Sequence, residues 1–294
     1  MKNNSDFGDV LIIGGAGHIG SHLAISLLKI SSRVVVLDDL SNGDALRLPA
    51  EVNFIEGTAA SVSDLFPHDS FSHIFHLGEY ARVEQSFADM DKVFESNFGP
   101  LYSVLKFAAS NGAKLIYSGS STKFCDAGEA ALSSPYAWTK KINSELVEVF
   151  ATWFSLNYAI CYFYNVYGGF EKADGKYATV IAKFVSAVES GATHLPVVRP
   201  GSQKRNFTHI DDVIEALILI GKYGQGDNHG IGSDHSYSIL EIVELLGALP
   251  EMLPERPGNR NHGPVMSEKT KALGWSCNND IADYIRSLDL KSTG

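Results

Sequence analysis

Cysteine is scarce in this chain. Its 294 residues hold three, Cys125, Cys161 and Cys277, odd in number and far apart. That pattern argues against a disulfide framework and for a reducing compartment. Positive charge is short as well: 24 Lys and Arg against 34 Asp and Glu leave a net charge of −10. A nucleic-acid binder needs a basic surface to neutralise phosphates, so no nucleic-acid partner is expected. An anionic small ligand remains open, because a few local cations can hold one. No apolar run approaches the roughly 20 residues that span a bilayer. The polar start MKNNSDFGD carries no signal-peptide pattern. The expectation is a cytoplasmic protein with no membrane partner. Internal repeats and low-complexity tracts are missing too. His18, His22, His73, His76 and His209 lack a metal-ligand spacing, so no metal site is expected.

Hydrophobic residues make up 45% of the chain, enough for a sizeable core without metal or disulfide staples. In the first half, short β-branched runs alternate with longer helical patterns. Val10–Ile13, Val34–Leu37, Val52–Ile55, His73–Leu77 and Lys114–Tyr117 read as strands, with a sixth over Ala159–Tyr164. His18–Ile30, a segment around Val83–Asn111, and Tyr136–Leu156 read as helices. Apolar strands separated by helices predict a parallel sheet covered on both faces, an α/β doubly wound (Rossmann) fold. Beyond Gly168 the pattern loosens. Helices fit Thr179–Ser190, Asp211–Lys222 and Ser238–Leu246, while Pro250–Pro264 is too rich in Pro, Gly and Asn for regular structure. The expected division is a cofactor domain over 1–168, to which some later strands return, and a small α+β substrate domain mainly over 169–294.

The first strand runs into Gly14–Gly15–Ala16–Gly17–His18–Ile19–Gly20 and then an apolar helix. A tight strand-to-helix turn needs residues tolerant of positive φ. Close approach of backbone to a pyrophosphate needs the absence of Cβ, and the helix N-terminus offers free N–H groups. The second strand ends in Asp38–Asp39, near the distance expected for the acid that accepts from the adenosine ribose 2′-OH. An acid there disfavours a 2′-phosphate, so NAD is the expected cofactor. Arg33 lies at the wrong end of that strand to hold such a phosphate.

Tyr136 and Lys140 form Y-x-x-x-K just after Pro135. The i, i+4 spacing stacks them on one helix face, where the cation stabilises tyrosinate for general-base work. Ser118–Thr122 follows the fifth strand, at the carboxyl-end crevice of a doubly wound sheet. A hydroxyl there can share a hydrogen bond with the substrate oxygen that Tyr136 deprotonates.

Together these residues resemble the extended short-chain dehydrogenase/reductase family, and within it the nucleotide-sugar epimerases and dehydratases, in a form most like UDP-glucose 4-epimerase. The likeness extends through His76–Leu77–Gly78, Asn97, Asn165–Gly168, Gly201–Asp212, Arg256–Gly258 and Leu273–Trp275. It implies Ser120, Tyr136 and Lys140 as the catalytic set, with Lys140 also on the nicotinamide ribose. Gly14, Gly17, His18, Ile19, Gly20, Asp38, Asp39, Asn42, Leu77 and Asn97 are implied as further NAD contacts. Ser120, Asn165, Arg205 and Arg256 are implied for a nucleotide-diphosphate sugar, the two arginines on its pyrophosphate. A homodimer is implied, its two long helices per subunit forming a four-helix bundle. Counting from Arg256, Gly263 would line the sugar pocket and leave room for a 2-acetamido group.

Departures separate the subtypes. Related dehydratases and decarboxylases carry a carboxylate after the fifth strand, whereas Ser120 is followed here by Ser121, Thr122 and Lys123. An epimerase needs only a base and a cofactor that takes and returns hydride. The expected activity is therefore NAD-dependent nucleotide-sugar epimerisation, at C4. Alternatives are a nucleotide-4-keto-sugar reductase, or a catalytically idle NAD- or sugar-nucleotide-binding protein. Thr58, Tyr162, Phe124 and Cys125 replace residues usual in the family, and Glu79 and Lys123 are unexplained by the sequence.

Overall fold

The structure is a computed structural model that describes residues 7–124, 132–255, 264–288 and 290. Its strands are β1 (Phe7–Ile13), β2 (Ser31–Asp38), β3 (Asn53–Glu56), β4 (His73–His76), β5 (Lys114–Ser120), β6 (Tyr158–Phe163), β7 (Val166–Tyr167), β8 (His194–Val198), β9 (Lys204–Arg205), β10 (Thr208–His209), β11 (Gly226–Ile231), β12 (Tyr237–Ser238) and β13 (Leu249–Leu253). Its α-helices are α1 (His18–Leu27), α2 (Val62–Leu65), α3 (Met90–Asn111), α4 (Pro135–Phe154), α5 (Val180–Glu189), α6 (Ile210–Tyr223), α7 (Ile239–Leu245), α8 (Glu268–Lys271) and α9 (Ile281–Ser287).

Seven strands form one sheet in the order β11-β6-β5-β4-β1-β2-β3, all parallel. Alternation along β1 shows why both faces are covered. Leu11 and Ile13 enter one core with Leu101, Val104 and Val147 of α3 and α4. Val10 and Ile12 enter the other with Leu23, Leu27, Val213 and Leu217 of α1 and α6. Period-2 side-chain geometry on a strand buried on both faces demands apolar residues at every position. A third core joins Tyr167, Phe184, Leu195, Val197, Ile242 and Ile285 among the later elements. Strand order reverses beside β1, whose neighbours are β2 and β4, and ligands of such sheets bind in the crevice at that switch point.

The sheet has a seventh strand, β11 (GDNHGI), a later segment that returns beside β6; its polar sequence gives no strand signal. Two expectations need correction. The segment from Val83 begins as a 3₁₀ turn over Glu84–Phe87, and α3 starts only at Met90. The stretch from Pro250, expected to be irregular, begins inside β13, which pairs in parallel with β8. That pairing satisfies backbone groups whatever the local propensity. Among the described residues no helix is long and apolar enough to cross a membrane.

Candidate active site

The glycine turn is built by close backbone contacts. Gly14 has φ +79°, and a Cβ there would lie 2.4 Å from the Gly78 backbone, across the β1–β4 switch point. A Cβ on Gly20 would lie 2.3 Å from Gly14 O, so the helix start packs directly on the turn. Gly17 faces only Gly14 O at 3.3 Å and leaves its other side open to the crevice. The N–H groups of the first turn of α1 have no intrahelical partners and point where an anion can bind.

Asp38 ends β2 at 8% exposure. Its Oδ2 accepts from Ala16 N at 3.0 Å and its Oδ1 from Leu40 N at 2.9 Å. Burial raises its pKa above the ordinary carboxylate value, against those two N–H groups. Lone pairs remain on both oxygens for a hydroxyl donor. A cavity of about 140 Å³ beside it is lined by Gly14, Gly17, Asp38, Asp39, Asn42 and Leu77, and also by Thr58. Asn42 Oδ1 is buried without a protein partner and lines both this cavity and the next one. An orphaned acceptor, an open glycine turn and a carboxylate in one crevice fit the hydroxyls and phosphates of a dinucleotide. Arg33 lies away from it, paired with Asp9 and Asp69 at 2.8 Å each.

The adjoining cavity, about 490 Å³, is lined by His18, Ile19, Gly20, Leu77, Ser118, Gly119, Tyr136, Lys140 and Asn165, among others. Helix α4 places the pair because Ser134 caps it, accepting from Ala137 N at 3.1 Å, and Pro135 occupies its first turn. Lys140 is nearly buried and donates to Ser118 O at 2.7 Å. Ser120 lies just beyond the lining residues Ser118 and Gly119, at 7% exposure, its hydroxyl accepting from Thr122 Oγ1 at 2.9 Å. Asn97 is fully buried and lines neither cavity. Its amide is spent on Tyr80 N at 2.7 Å and Thr139 Oγ1 at 3.1 Å, so here it braces the loop after β4 against α4.

The unexplained residues now have partners. Glu79 forms an ion pair with Lys140, Nζ to Oε2 2.5 Å, at 1% side-chain exposure. Burial pushes this carboxyl up, but Lys140 and His76 outweigh it, and its pKa lies below the usual range. Lys123 pairs with Asp227, which also accepts from Tyr162 OH at 2.5 Å. The lysine and the tyrosine thus fasten the turn after β5 to β6 and β11.

Two other cavity residues, Arg82 and Glu171, carry no sequence signal, because loops bring them in. Arg82 donates to Tyr177 O, and its Nε is buried without a partner. Burial lowers its pKa, opposed by Tyr136, Tyr177 and Tyr80. Glu171 accepts from Gly168 N at 2.7 Å and from Thr179 Oγ1. His18 bonds Gly168 O at 2.8 Å, tying the glycine turn to the loop after β7. Asn165 lines the cavity and donates to Asn206 O at 3.0 Å. Arg205 sits on β9, outside the residues that line this cavity. Arg256 and Gly263, like Cys125, lie outside the described residues.

Residues 10–232 match the NAD dependent epimerase/dehydratase family. The chain is 26% identical to a UDP-glucose 4-epimerase of Lacticaseibacillus casei, over 94% of each chain. It is 29% identical to a UDP-N-acetyl-alpha-D-glucosaminuronate decarboxylase of Bacillus cytotoxicus, over 80% of this chain and 78% of that one. The UDP-glucose 4-epimerase of Thermus thermophilus, solved in complex with NAD, superimposes with a TM-score of 0.84 at 25% identity, covering 95% of this chain and 96% of that one. A match spanning the sheet, the glycine turn and helix α4 together places this chain in the NAD dependent epimerase/dehydratase family.

Proposed function

We propose that the chain is an NAD-dependent nucleotide-sugar epimerase that inverts C4 through a transient 4-keto sugar. The observation that carries this reading is one crevice holding both the glycine turn with Asp38 and the Tyr136–Lys140 pair. Gly14, Gly17, His18, Ile19, Gly20 and Leu77 would cradle the dinucleotide. Asp38, Asp39 and Asn42 would take the adenosine ribose, and Lys140 the nicotinamide ribose. NAD held there would supply the hydride acceptor and, in the return half, the donor. Tyr136 takes the C4 hydroxyl proton as the C4–H leaves as hydride, so an O–H and a C–H bond are exchanged for a carbonyl. It returns the proton once the keto sugar has turned its other face. Ser120 would hold the same oxygen, and Asn165, Arg205 and Arg256 the nucleotide diphosphate.

Elimination and decarboxylation are disfavoured by the residues after Ser120. Ser121, Thr122, Lys123 and Phe124 offer no carboxylate, and Lys123 is committed to Asp227. Glu79 is no free acid either, being tied to Lys140. The first 168 residues would carry the cofactor and residues 169–294 mainly the sugar nucleotide, with α6 and β11 returning to the sheet. A homodimer is part of the proposal. Met90, Phe94, Phe98 and Tyr102 make an exposed stripe at i, i+4 spacing on α3, with Trp138 of α4 stacked near Phe94 and Trp153 of the same helix also exposed. An apolar helical face of this kind suits a four-helix bundle.

Conversion of a panel of UDP-, GDP-, dTDP- and CDP-sugars, followed by proton NMR, tests the activity. Inversion at C4 without net NADH release is the expected result. Stoichiometric NADH consumption on a keto sugar would favour a reductase instead, and binding without turnover an idle protein.

A further inference from the structure

Glu79 lines both cavities although its side chain is only 1% exposed. Three neighbours hold it and a fourth, His76, lies beside it. Lys140 Nζ lies 2.5 Å from Oε2 and His76 Nε2 3.5 Å from Oε1. Tyr117 OH donates to Oε2 at 2.9 Å and Oε1 at 3.1 Å, and Asn143 Nδ2 to Oε1 at 3.1 Å. These come from β4, β5 and α4, so the carboxylate cannot turn away. A Tyr–Lys pair alone would present a bare ammonium to the crevice; here a fixed negative charge cancels it at contact distance.

That cancellation has a redox meaning. When a hydride arrives from the sugar carbon, with its two electrons, the nicotinamide ring loses its single positive charge, and the hydroxyl proton goes to Tyr136. A cation fixed beside the ring therefore favours the reduced form, and an anion the oxidised form. We propose that Glu79 is a positioning residue that sets the redox balance of the bound cofactor, neutralising Lys140 so that the oxidised form is favoured. The inference rests on the placement of Lys140 at the nicotinamide ribose given above. Its use follows from the chemistry: an enzyme that must return every hydride is left inactive whenever the keto sugar departs first. A bias toward the oxidised form hands the hydride back sooner.

The ratio of dissociation constants for NADH and NAD+, by NADH fluorescence and equilibrium dialysis of the full chain, reads this balance without turnover. Glu79→Gln keeps the shape and removes the charge. It should shift the ratio about tenfold toward NADH, equivalent to about 1.4 kcal/mol. Glu79→Asp, which keeps the charge, should stay near wild type, and Lys140→Met should shift the ratio the opposite way. A purely structural Glu79 would lower the melting temperature without such opposite-signed shifts. Should Glu79→Gln not fold, the double variant Glu79→Gln/Lys140→Met buries no unpaired charge of this pair. Compared with Lys140→Met alone, it should again move toward NADH. An unchanged ratio on removing the Glu79 charge overturns the proposal. If Lys140→Met still shifts the ratio, only the role of Glu79 falls; if neither moves it, the placement of Lys140 falls too.

Discussion

Replacing Asp38 by Asn tests the cofactor site where the structure is most explicit. The carboxylate spends one lone pair of each oxygen on the N–H groups of Ala16 and Leu40. An amide has one acceptor oxygen, so one of those N–H groups, the buried one of Ala16 or the part-buried one of Leu40, loses its partner, at up to roughly 1–3 kcal/mol. That cost falls on the loop and weakens both dinucleotides alike, so the informative quantity is the ratio of affinities. A 2′-phosphate would bring about two negative charges against Asp38. A pair of unit charges about 4 Å apart is worth roughly 1 kcal/mol in water and about 4 kcal/mol at an effective dielectric of 20. Asp38 at 8% exposure lies between these limits. Wild type should therefore bind NAD+ at least about 30-fold more tightly than NADP+, roughly 2 kcal/mol. Asp38→Asn should narrow that ratio by about tenfold while weakening NAD+ itself. Titration calorimetry with each dinucleotide measures both numbers. A wild-type preference for NADP+, or a ratio within threefold of wild type in the variant, would refute the assignment.

Tyr136→Phe should keep NAD binding and lose about 10²-fold or more in turnover, as for a lost general base; wild-type-like turnover on a substrate found by the panel would remove Tyr136 from the mechanism. Folding stability should fall as pH drops from about 6.5 to about 4. His229 and His73 have their pKa lowered to about 4, His229 by burial and His73 by burial and Lys114. The unfolded chain takes up these protons first, so their stabilising effect is complete above the unfolded value and lost on acidification. Thermal melts against pH should show that decline, and His229→Gln should make it shallower; an identical slope would mean His229 does not contribute. Phe98→Glu with Trp153→Glu should convert a dimer to monomer in analytical ultracentrifugation without a loss of secondary structure. A dimer surviving both charges would place the contact elsewhere.

What the sequence determined was periodicity and spacing. Val10–Ile13, Val34–Leu37 and Lys114–Tyr117 are apolar at nearly every position because their strands are buried on both faces, and that signal is local. Gly14, Gly17, Gly20 and Asp38 read as a dinucleotide turn through steric and charge requirements within one strand–helix–strand unit. Tyr136 and Lys140 read as a pair through one helical turn. Tertiary structure decided whatever depends on contact between distant segments. The polar strand β11 exists because β6 offers it a ladder, not because Gly226–Ile231 prefers extension. Asn97, grouped by sequence with cofactor contacts, spends its amide on Tyr80 and Thr139. Glu79 reads in the sequence as an acid out of place, and only the approach of α4 to the end of β4 shows that its partner is Lys140. Arg82, Glu171 and Tyr177 reach the cavity on loops, where no period links position to direction. Side-chain partners across such distances are set by packing of the whole chain, so spacing along the sequence cannot carry them.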